Sequence, residues 1–242
     1  MLTIEQLSFS YGSVAILHSI DMHMEAAQVT CVMGRNGVGK TTLMMNIMGL
    51  LKSSSGVVRL GENSSFSGPQ RNEIDISSLP ANKRAHAGLS IVPQGRQIFP
   101  KLTVEENLRV GLQARTDGRQ TIPEDIYEPF PVLKEMGKRK GGDLSGGQQQ
   151  QLAIARALVG DPKVLILDEP TEGIQPNIIQ QIGGVLRELI ATRDITVILV
   201  EQYLDFVREF GDNFYIMDRG RVVESGETRQ LTEDLVQAHL SV

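Results

Sequence analysis

The sequence predicts an α/β fold with a mainly parallel core sheet, an N-terminal antiparallel β subdomain and an inserted α-helical subdomain. Short runs rich in β-branched residues, at 164–167 and 197–200, have the composition of parallel strands that are buried on both faces. Helical stretches alternate with these runs, as they do when helices cover both sides of a parallel sheet. The alternation of apolar and polar residues over 2–9 indicates half-buried antiparallel strands at the N-terminus.

Length, composition and charge restrict what the chain can be. Its 242 residues, 40% of them hydrophobic and 22% charged, suit one domain over 1–242, with a helical subdomain at about 95–160. The net charge of −5 argues against a dedicated nucleic-acid binder, because such a protein needs a basic surface. The sequence has no signal-peptide pattern and no apolar run long enough to span a membrane, so we expect a soluble cytoplasmic protein.

The first third of the chain is predicted to consist of strands around one helix. A turn at 11–13 separates the first two strands. The apolar strand 29–33 runs through a Gly-rich loop into a helix over 40–50, and 57–60 forms another strand. Residues 61–78 are dense in Ser, Asn, Gly and charge, which predicts a surface loop.

The remaining elements follow from periodicity and capping signals. Residues 89–92 form a strand that a proline ends, and Thr103 and Glu106 have the spacing of a capping box. From there to about residue 140 we expect a mostly helical chain, with breaks at 116–123 and 129–131. The C-terminal part is predicted to contain, in order, helix 148–159, strand 164–167, helix 178–191, strand 196–200, helix 203–210 and a hairpin of 214–217 with 221–224.

One segment fits the pattern G-x-x-x-x-G-K-[ST], and we call it the phosphate loop. Its residues are Gly34, Arg35, Asn36, Gly37, Val38, Gly39, Lys40 and Thr41, and Thr42 follows. Glycines let the backbone amides and the start of the next helix surround a phosphate group. Lys40 would reach the β- and γ-phosphates, and Thr41 would bind Mg²⁺. A Gly-rich turn without a ligand is the alternative, and the strand before and helix after the loop disfavour it.

Two carboxylates follow the apolar strand 164–167. Ligands of open α/β sheets gather at the carboxyl ends of the strands, which is where Asp168 and Glu169 fall. Asp168 suits the Mg²⁺ shell, and Glu169 suits a general base that polarises the attacking water. Solvated acids at the end of a strand are the alternative, and it loses weight beside a phosphate loop.

A third motif opens the helix predicted near residue 148. Ser145 can cap this helix, and Gly146 and Gly147 leave backbone amides exposed before Gln148 completes the sequence Leu-Ser-Gly-Gly-Gln. Such a helix start is a second anion site.

Together the three motifs, in this order, resemble the ATP-binding cassette (ABC) ATPases over nearly the whole chain. The resemblance implies the P-loop ABC ATPase fold, ATP and Mg²⁺ as cofactors, and ATP hydrolysis in which Glu169 and Lys40 are catalytic. It implies that Tyr11 stacks on adenine and that Gln94 lies beside Mg²⁺, the attacking water and the membrane partner. It also implies a head-to-tail dimer, in which residues 145–148 of one chain cover ATP held by the phosphate loop of the other.

The chain departs from the ABC pattern at two positions. Gln202 stands where the family usually has a catalytic histidine, and it can hydrogen-bond a γ-phosphate oxygen but cannot become cationic. We therefore expect slower hydrolysis or a greater reliance on Glu169. Gln175 stands where many members have Asp, in a loop that crosses the dimer, so communication between the two ATP sites is expected to differ.

These departures, with the sequence over 92–108, resemble the branch of importers for branched-chain amino acids and amides. The loop at 169–176 is most similar to the second ATPase subunit of urea importers, so urea is the expected solute and branched-chain amino acids are the alternative. The implied partners are membrane permease subunits, a sister ATPase subunit and, indirectly, a periplasmic solute-binding protein, without nucleic acid. The implied location is the cytoplasmic face of the inner membrane, and the chain purified alone could form a homodimer.

Two other functions agree with parts of the sequence. Soluble ABC ATPases that act on ribosomes or DNA usually carry two cassettes or long coiled coils between their motifs. This chain has one cassette, with about a hundred residues between its phosphate loop and residue 144. A non-hydrolysing clamp gated by ATP is disfavoured by the presence of Glu169.

Overall fold

Ten strands in two sheets form the frame of residues 1–61 and 73–240, the part of the chain that the computed structural model describes. In chain order the strands are β1 (Leu2–Tyr11), β2 (Val14–Met24), β3 (Val29–Met33), β4 (Ser55–Gly61), β5 (Glu73–Asp75), β6 (Leu89–Val92), β7 (Val164–Asp168), β8 (Thr196–Val200), β9 (Asn213–Asp218) and β10 (Arg221–Glu227). The smaller sheet is antiparallel with the order β2-β1-β4-β5. The larger sheet has the order β10-β9-β3-β8-β7-β6. Both predicted sheets are thus confirmed.

The larger sheet is parallel except at β10, which pairs antiparallel with β9. Every residue of β3, β7 and β8 is buried, as expected for strands covered on both faces. Val200 of β8 pairs with Val32 of β3 on one side and with Asp168 of β7 on the other. The carboxyl ends of these three strands therefore lie side by side at one edge of the sheet.

Eight α-helices accompany the sheets in the described residues. They are α1 (Lys40–Ile47), α2 (Ala81–Ala87), α3 (Val104–Gly111), α4 (Pro131–Glu135), α5 (Gly146–Val159), α6 (Pro176–Arg193), α7 (Leu204–Phe210) and α8 (Glu233–His239). The longest, α6, begins at Pro176, because a first helical residue needs no N–H, and the residue after its end, Asp194, is in the left-handed conformation. Capping boxes at Thr103 and Ser145 start α3 and α5, as the sequence predicted for α3.

Two hydrophobic cores lie on the two faces of the larger sheet. One contains the apolar side chains of α5, α6 and α7, together with Leu165 and Leu167 of β7. The other lies between the two sheets and includes α1, together with Ile166 of β7 and Ile198 of β8. Because side chains alternate along a strand, each central strand contributes to both cores.

The chain between α3 and α5 is less helical than the sequence predicted. Residues 112–114 and 124–126 form short 3-10 turns, and only α4 is an α-helix between residues 112 and 140. Asp117 accepts a hydrogen bond from the Arg119 amide at 3.1 Å, and such local bonds compete with helix formation. Prolines at 123, 129 and 131 also remove backbone donors. These features lie at the breaks expected at 116–123 and 129–131, which are present, the second ending where α4 begins at Pro131. Residues 124–128 contain only a 3-10 turn and 136–140 no helix, so the expectation of a mostly helical course to residue 140 was wrong.

The surface loop predicted at 61–78 is partly a strand. Residues 73–75 form β5, in which Ile74 pairs with Leu60 of β4. Residues 62–72 lie outside the described part of the chain, so the loop stays a prediction there. Sequence analysis also missed α2 and α8, each of seven residues, because two turns give too little periodicity to distinguish a helix.

Candidate functional site

The phosphate loop, residues 34–41, joins the carboxyl end of β3 to α1. Its path depends on left-handed glycines, with φ 144° at Gly34 and φ 106° at Gly39. A Cβ atom at Gly34 would lie 2.4 Å from the carbonyl oxygen of Met217, so only glycine fits there. Val38 is buried in the core between the two sheets, which anchors the middle of the loop.

The side chain of Lys40 folds back over this loop and is only 5% exposed. Its Nζ donates hydrogen bonds to the carbonyl oxygens of Gly34, at 2.6 Å, and Arg35, at 3.0 Å. Burial lowers the pKa of Lys40, and the carboxylates of Glu169 and Asp168 oppose that shift. The loop thus presents a partly desolvated cation at its centre.

An open pocket of about 400 Å³ lies beside the loop. The residues that line it are Ile16, Asn36, Gly37, Gly39, Lys40, Thr41, Thr42, Gln94 and Glu169. All of them except Ile16 were predicted from the sequence to belong to the site. Ile16, on β2, supplies an apolar wall, and no motif marks it because a single apolar residue in a strand has no distinctive spacing.

Glu169 follows β7 directly, and its carboxylate is held by two amides. Its backbone has φ 50°, and its N–H donates to the Val200 carbonyl at 2.9 Å. The two carboxylate oxygens accept from Gln94 Nε2 at 2.8 Å and from Gln202 Nε2 at 2.6 Å. Gln202 Nε2 also donates to Asn36 Oδ1 at 2.7 Å, so Gln202 bridges the phosphate loop and Glu169.

The segment after β6 is joined to two other parts of the site. Gln94 Nε2 has a second acceptor, a carboxylate oxygen of Glu172 at 3.0 Å. The Arg96 guanidinium donates to the carbonyl oxygen of Glu172 at 3.4 Å and to Gln149 Oε1, on α5, at 3.5 Å. These contacts connect the Gln94 segment with the loop after β7 and with the start of α5.

Asp168, the last residue of β7, is 2% exposed, and its carboxylate oxygens accept no hydrogen bond of full geometry within the described residues, although the Thr41 hydroxyl lies close enough to act on them. Burial raises the pKa of Asp168, while the Thr41 hydroxyl and the Lys40 ammonium group oppose that shift. Leaving a buried carboxylate unpaired is costly, and a hard cation would relieve that cost.

The residues around Asp168 therefore fit a Mg²⁺ ion that arrives with a nucleotide. The described residues contain no cluster of three His, Cys, Asp or Glu side chains that could hold a metal alone. Mg²⁺ sites of phosphate-binding proteins need no such cluster, because one or two protein ligands act there with phosphate oxygens and water.

Sequence analysis missed Glu201, which follows β8 and is 2% exposed. One of its carboxylate oxygens accepts from the amide and the hydroxyl of Thr171, at 3.0 and 2.7 Å. The other accepts from the amides of Gln202 and Tyr203, at 3.0 and 3.3 Å. Burial raises the pKa of Glu201, and these hydrogen bonds oppose that shift. The only signal in the sequence was an acid after an apolar strand, which is usually solvated.

The pocket lining does not include all predicted site residues: it lacks Gly34, Arg35, Val38, Asp168, Gln202, Tyr11 and residues 145–148. Tyr11, at the end of β1, is 50% exposed and packs edge-on against Phe9 with the ring centroids 4.7 Å apart. At the start of α5, Ser145 Oγ accepts from the Gln148 amide at 3.4 Å, and Gln148 Oε1 accepts from the Ser145 amide at 3.0 Å. This capping box confirms the predicted helix start, and residues 145–148 are not among the residues that line the pocket.

Known proteins are similar to this chain in sequence and in architecture. Residues 17–172 match the family described as ABC transporter. The high-affinity branched-chain amino acid transport ATP-binding protein BraG of Pseudomonas aeruginosa is 36% identical over 92% of this chain and 91% of BraG. The probable branched-chain amino acid transport ATP-binding protein LivF of Archaeoglobus fulgidus is 36% identical over 96% of this chain and 94% of LivF. A nucleotide-free ATP-binding cassette from an ABC transporter has a TM-score of 0.79 at 28% identity, over 100% of this chain and 95% of that structure.

Proposed function

This chain belongs to the ABC transporter family, and from that premise we propose that its ATPase activity powers the import of a small solute. The observation that carries the mechanism is the carboxylate of Glu169, which two amides hold beside the pocket that the phosphate loop lines. ATPases of this family hydrolyse ATP to drive transport. The geometry supports a division of that reaction among the residues of this one edge of the sheet.

The phosphate loop would hold the ATP phosphates. Its glycines present backbone amides to the anion, and Lys40 would exchange its contacts with the Gly34 and Arg35 carbonyl oxygens for stronger, charge-assisted ones to the phosphates. Thr41 and Asp168, with Gln94 nearby, would hold Mg²⁺, which neutralises charge on the phosphates when it is bound.

Glu169 would act as the general base for the attacking water. A carboxylate beside the γ-phosphate can accept a proton as the water attacks in line. Gln202 would orient this carboxylate with one amide hydrogen, and when a nucleotide binds it would transfer the other hydrogen bond from Asn36 to a γ-phosphate oxygen. Since Gln202 also contacts Asn36, it would sense whether the loop holds a nucleotide.

A second cassette would complete the site. Residues 145–148 do not line the pocket of their own chain, which supports a head-to-tail dimer in which they cover ATP bound by the partner. We propose a sister ATPase subunit as that partner. In the described residues no helix is long and apolar enough to cross a membrane, so the solute path would belong to permease subunits at the inner membrane, supplied by a periplasmic binding protein.

Branched-chain amino acids are the first candidate solute, and urea is the second. The similarity to BraG and LivF over more than nine-tenths of the chain supports the amino acids, which were the alternative in the sequence analysis, better than it supports urea. The loop at 169–176 favours urea, because Glu172 and Gln175 in it resemble the ATPases of urea importers.

Uptake measurements separate the two solutes. In a strain that lacks this gene we expect uptake of labelled leucine to fall while uptake of labelled urea persists, and the parental gene should restore it. The Glu169→Gln variant should not restore it, because transport would need hydrolysis. If urea uptake falls and leucine uptake does not, urea becomes the first candidate solute. Restoration by Glu169→Gln would contradict the proposed role of Glu169.

A further inference from the structure

The buried carboxylate of Glu201 lies one residue from Gln202 and outside the pocket lining. Four hydrogen-bond donors meet on it, two on each oxygen, at 2.7 to 3.3 Å. A carboxylate has room for about four such bonds, so this group is fully satisfied by the protein. Its partners belong to two different segments, the loop after β7 and the loop after β8.

The bonds of Glu201 fix the relative position of these two loops. Thr171 is two residues beyond Glu169, and Gln202 follows Glu201 directly. The backbone amide of Glu169 donates to the Val200 carbonyl oxygen. The backbone amide of Glu201 donates to the Val32 carbonyl oxygen at 3.3 Å, so the backbone at Glu201 is also bonded to β3. The loop that carries Glu169 and the loop that carries Gln202 therefore share one buried anchor.

From this arrangement we propose that Glu201 is a positioning residue for ATP hydrolysis, which sets the geometry of the Gln202 amide against the Glu169 carboxylate. It touches neither the nucleotide pocket nor the reacting atoms and acts through Gln202. The proposal rests on the proposed function of Glu169 and Gln202. An error of about 1 Å in such a contact can lower a rate about a hundredfold.

Replacement of Glu201 by glutamine removes this anchor without changing the volume of the side chain. Only one oxygen remains, and the new NH₂ group must face backbone N–H groups, which are donors too. The Thr171 hydroxyl can turn and accept from the new amide, but the Thr171 backbone amide cannot. At least one donor would lose its partner, and the Gln202 loop would shift or become mobile.

The test compares Glu201→Gln with a matched control, Asp212→Asn. Asp212 is another acid of the same sheet that accepts from a backbone amide, that of Val29 at 2.7 Å, and pairs with Arg187 at 2.8 Å. It lies at the amino end of β9, whereas the proposed site is at the carboxyl edge. Both variants should lose some thermal stability. Their Tm values therefore show whether a fall in kcat follows from destabilisation of the fold alone.

We expect Glu201→Gln to lower kcat for ATP by about tenfold to a hundredfold while KM and the Kd for ATP stay within about threefold of the parental values. Asp212→Asn should leave kcat near the parental value at a temperature where it is folded. In the Gln202→Ala background, Glu201→Gln should cause little further loss, because the residue through which it acts is already absent.

Three results would overturn the proposal: a parental kcat for Glu201→Gln, a fall in kcat that comes with loss of ATP binding, or full additivity with Gln202→Ala. These results differ from failure of the proposed function itself. That failure would appear as an unchanged kcat in Glu169→Gln, which is measured in the same assay.

Discussion

At the scale of single residues, Lys40 makes its contacts within its own loop and can exchange them for phosphate oxygens. Lys40→Ala removes the charged donor, and charge-assisted bonds contribute about 1.5–3 kcal/mol. We therefore expect the Kd for ATP to rise at least about tenfold, as measured by titration with a fluorescent ATP analogue. Lys52→Ala, which removes an exposed lysine just after α1, is the control for charge and should bind normally. Unchanged affinity in Lys40→Ala would remove the phosphate loop from the site.

A variant of Glu169 can separate an effect on ATP hydrolysis from an effect on ATP binding. Glu169→Gln keeps the size of the side chain but cannot accept a proton, so kcat should fall by about 10²–10⁴-fold with little change in ATP affinity. Single-turnover hydrolysis and nucleotide titration check the two halves of this expectation. Glu172→Gln is the matched variant, because Glu172 also accepts from Gln94 but does not line the pocket. Glu172→Gln should lower kcat much less than Glu169→Gln does. Equal losses of kcat would indicate that Glu169 acts only by binding Gln94.

The sequence predicted those residues of the site that belong to spaced motifs. The phosphate loop, Gln94 and Glu169 meet at one pocket, as the order of strands requires. Glu201 and Ile16 were missed, because their roles depend on which residues the folded chain places against them. Tyr11 lies outside the pocket lining, so its contact with adenine remains a prediction.

At the scale of elements, α3 and α5 both begin with a capping box. Ser145 caps α5 and Thr103 caps α3, and replacing either by alanine should cost about 1 kcal/mol of stability. For a chain of this length that corresponds to a Tm lower by about 2–4 °C, which calorimetry can measure. Only Ser145→Ala should also weaken ATP-induced dimers of the Glu169→Gln variant, as measured by sedimentation. Equal dimerisation in both variants would contradict a role for Ser145 across the dimer.

Helices that begin with a capping signal were predicted well, and short elements without such a signal were not. Ser145 and Thr103 mark α5 and α3 because capping needs only nearby residues. Between them, the sequence predicted the breaks at 116–123 and 129–131, but not that residues 124–126 form only a 3-10 turn or that α4 ends at Glu135. The short strand β5 owes its existence to pairing with β4, which no local pattern reveals.

At the scale of the whole molecule, the sheet places the proposed chemistry at one edge, and in the proposed dimer a second chain would supply the other half of the nucleotide site. The ends of β3, β7 and β8 carry the phosphate loop, Asp168 with Glu169, and Glu201 with Gln202. Arg96 reaches from the segment after β6 to α5 and to the loop after β7. A movement of that segment would therefore reach both the proposed base and the start of α5, which we propose covers the partner's ATP.

The bridge between Asn36 and Glu169 is formed by Gln202, a side chain that does not titrate. A histidine in this position would gain a proton near pH 6.5, and its contact with the γ-phosphate would then change from a neutral to a cationic one. A carboxamide has no such transition, and no histidine lines the described pocket. The side chain of Gln202 therefore keeps one charge state from mildly acidic to mildly alkaline conditions, and it would add no pH dependence of its own to the proposed contact.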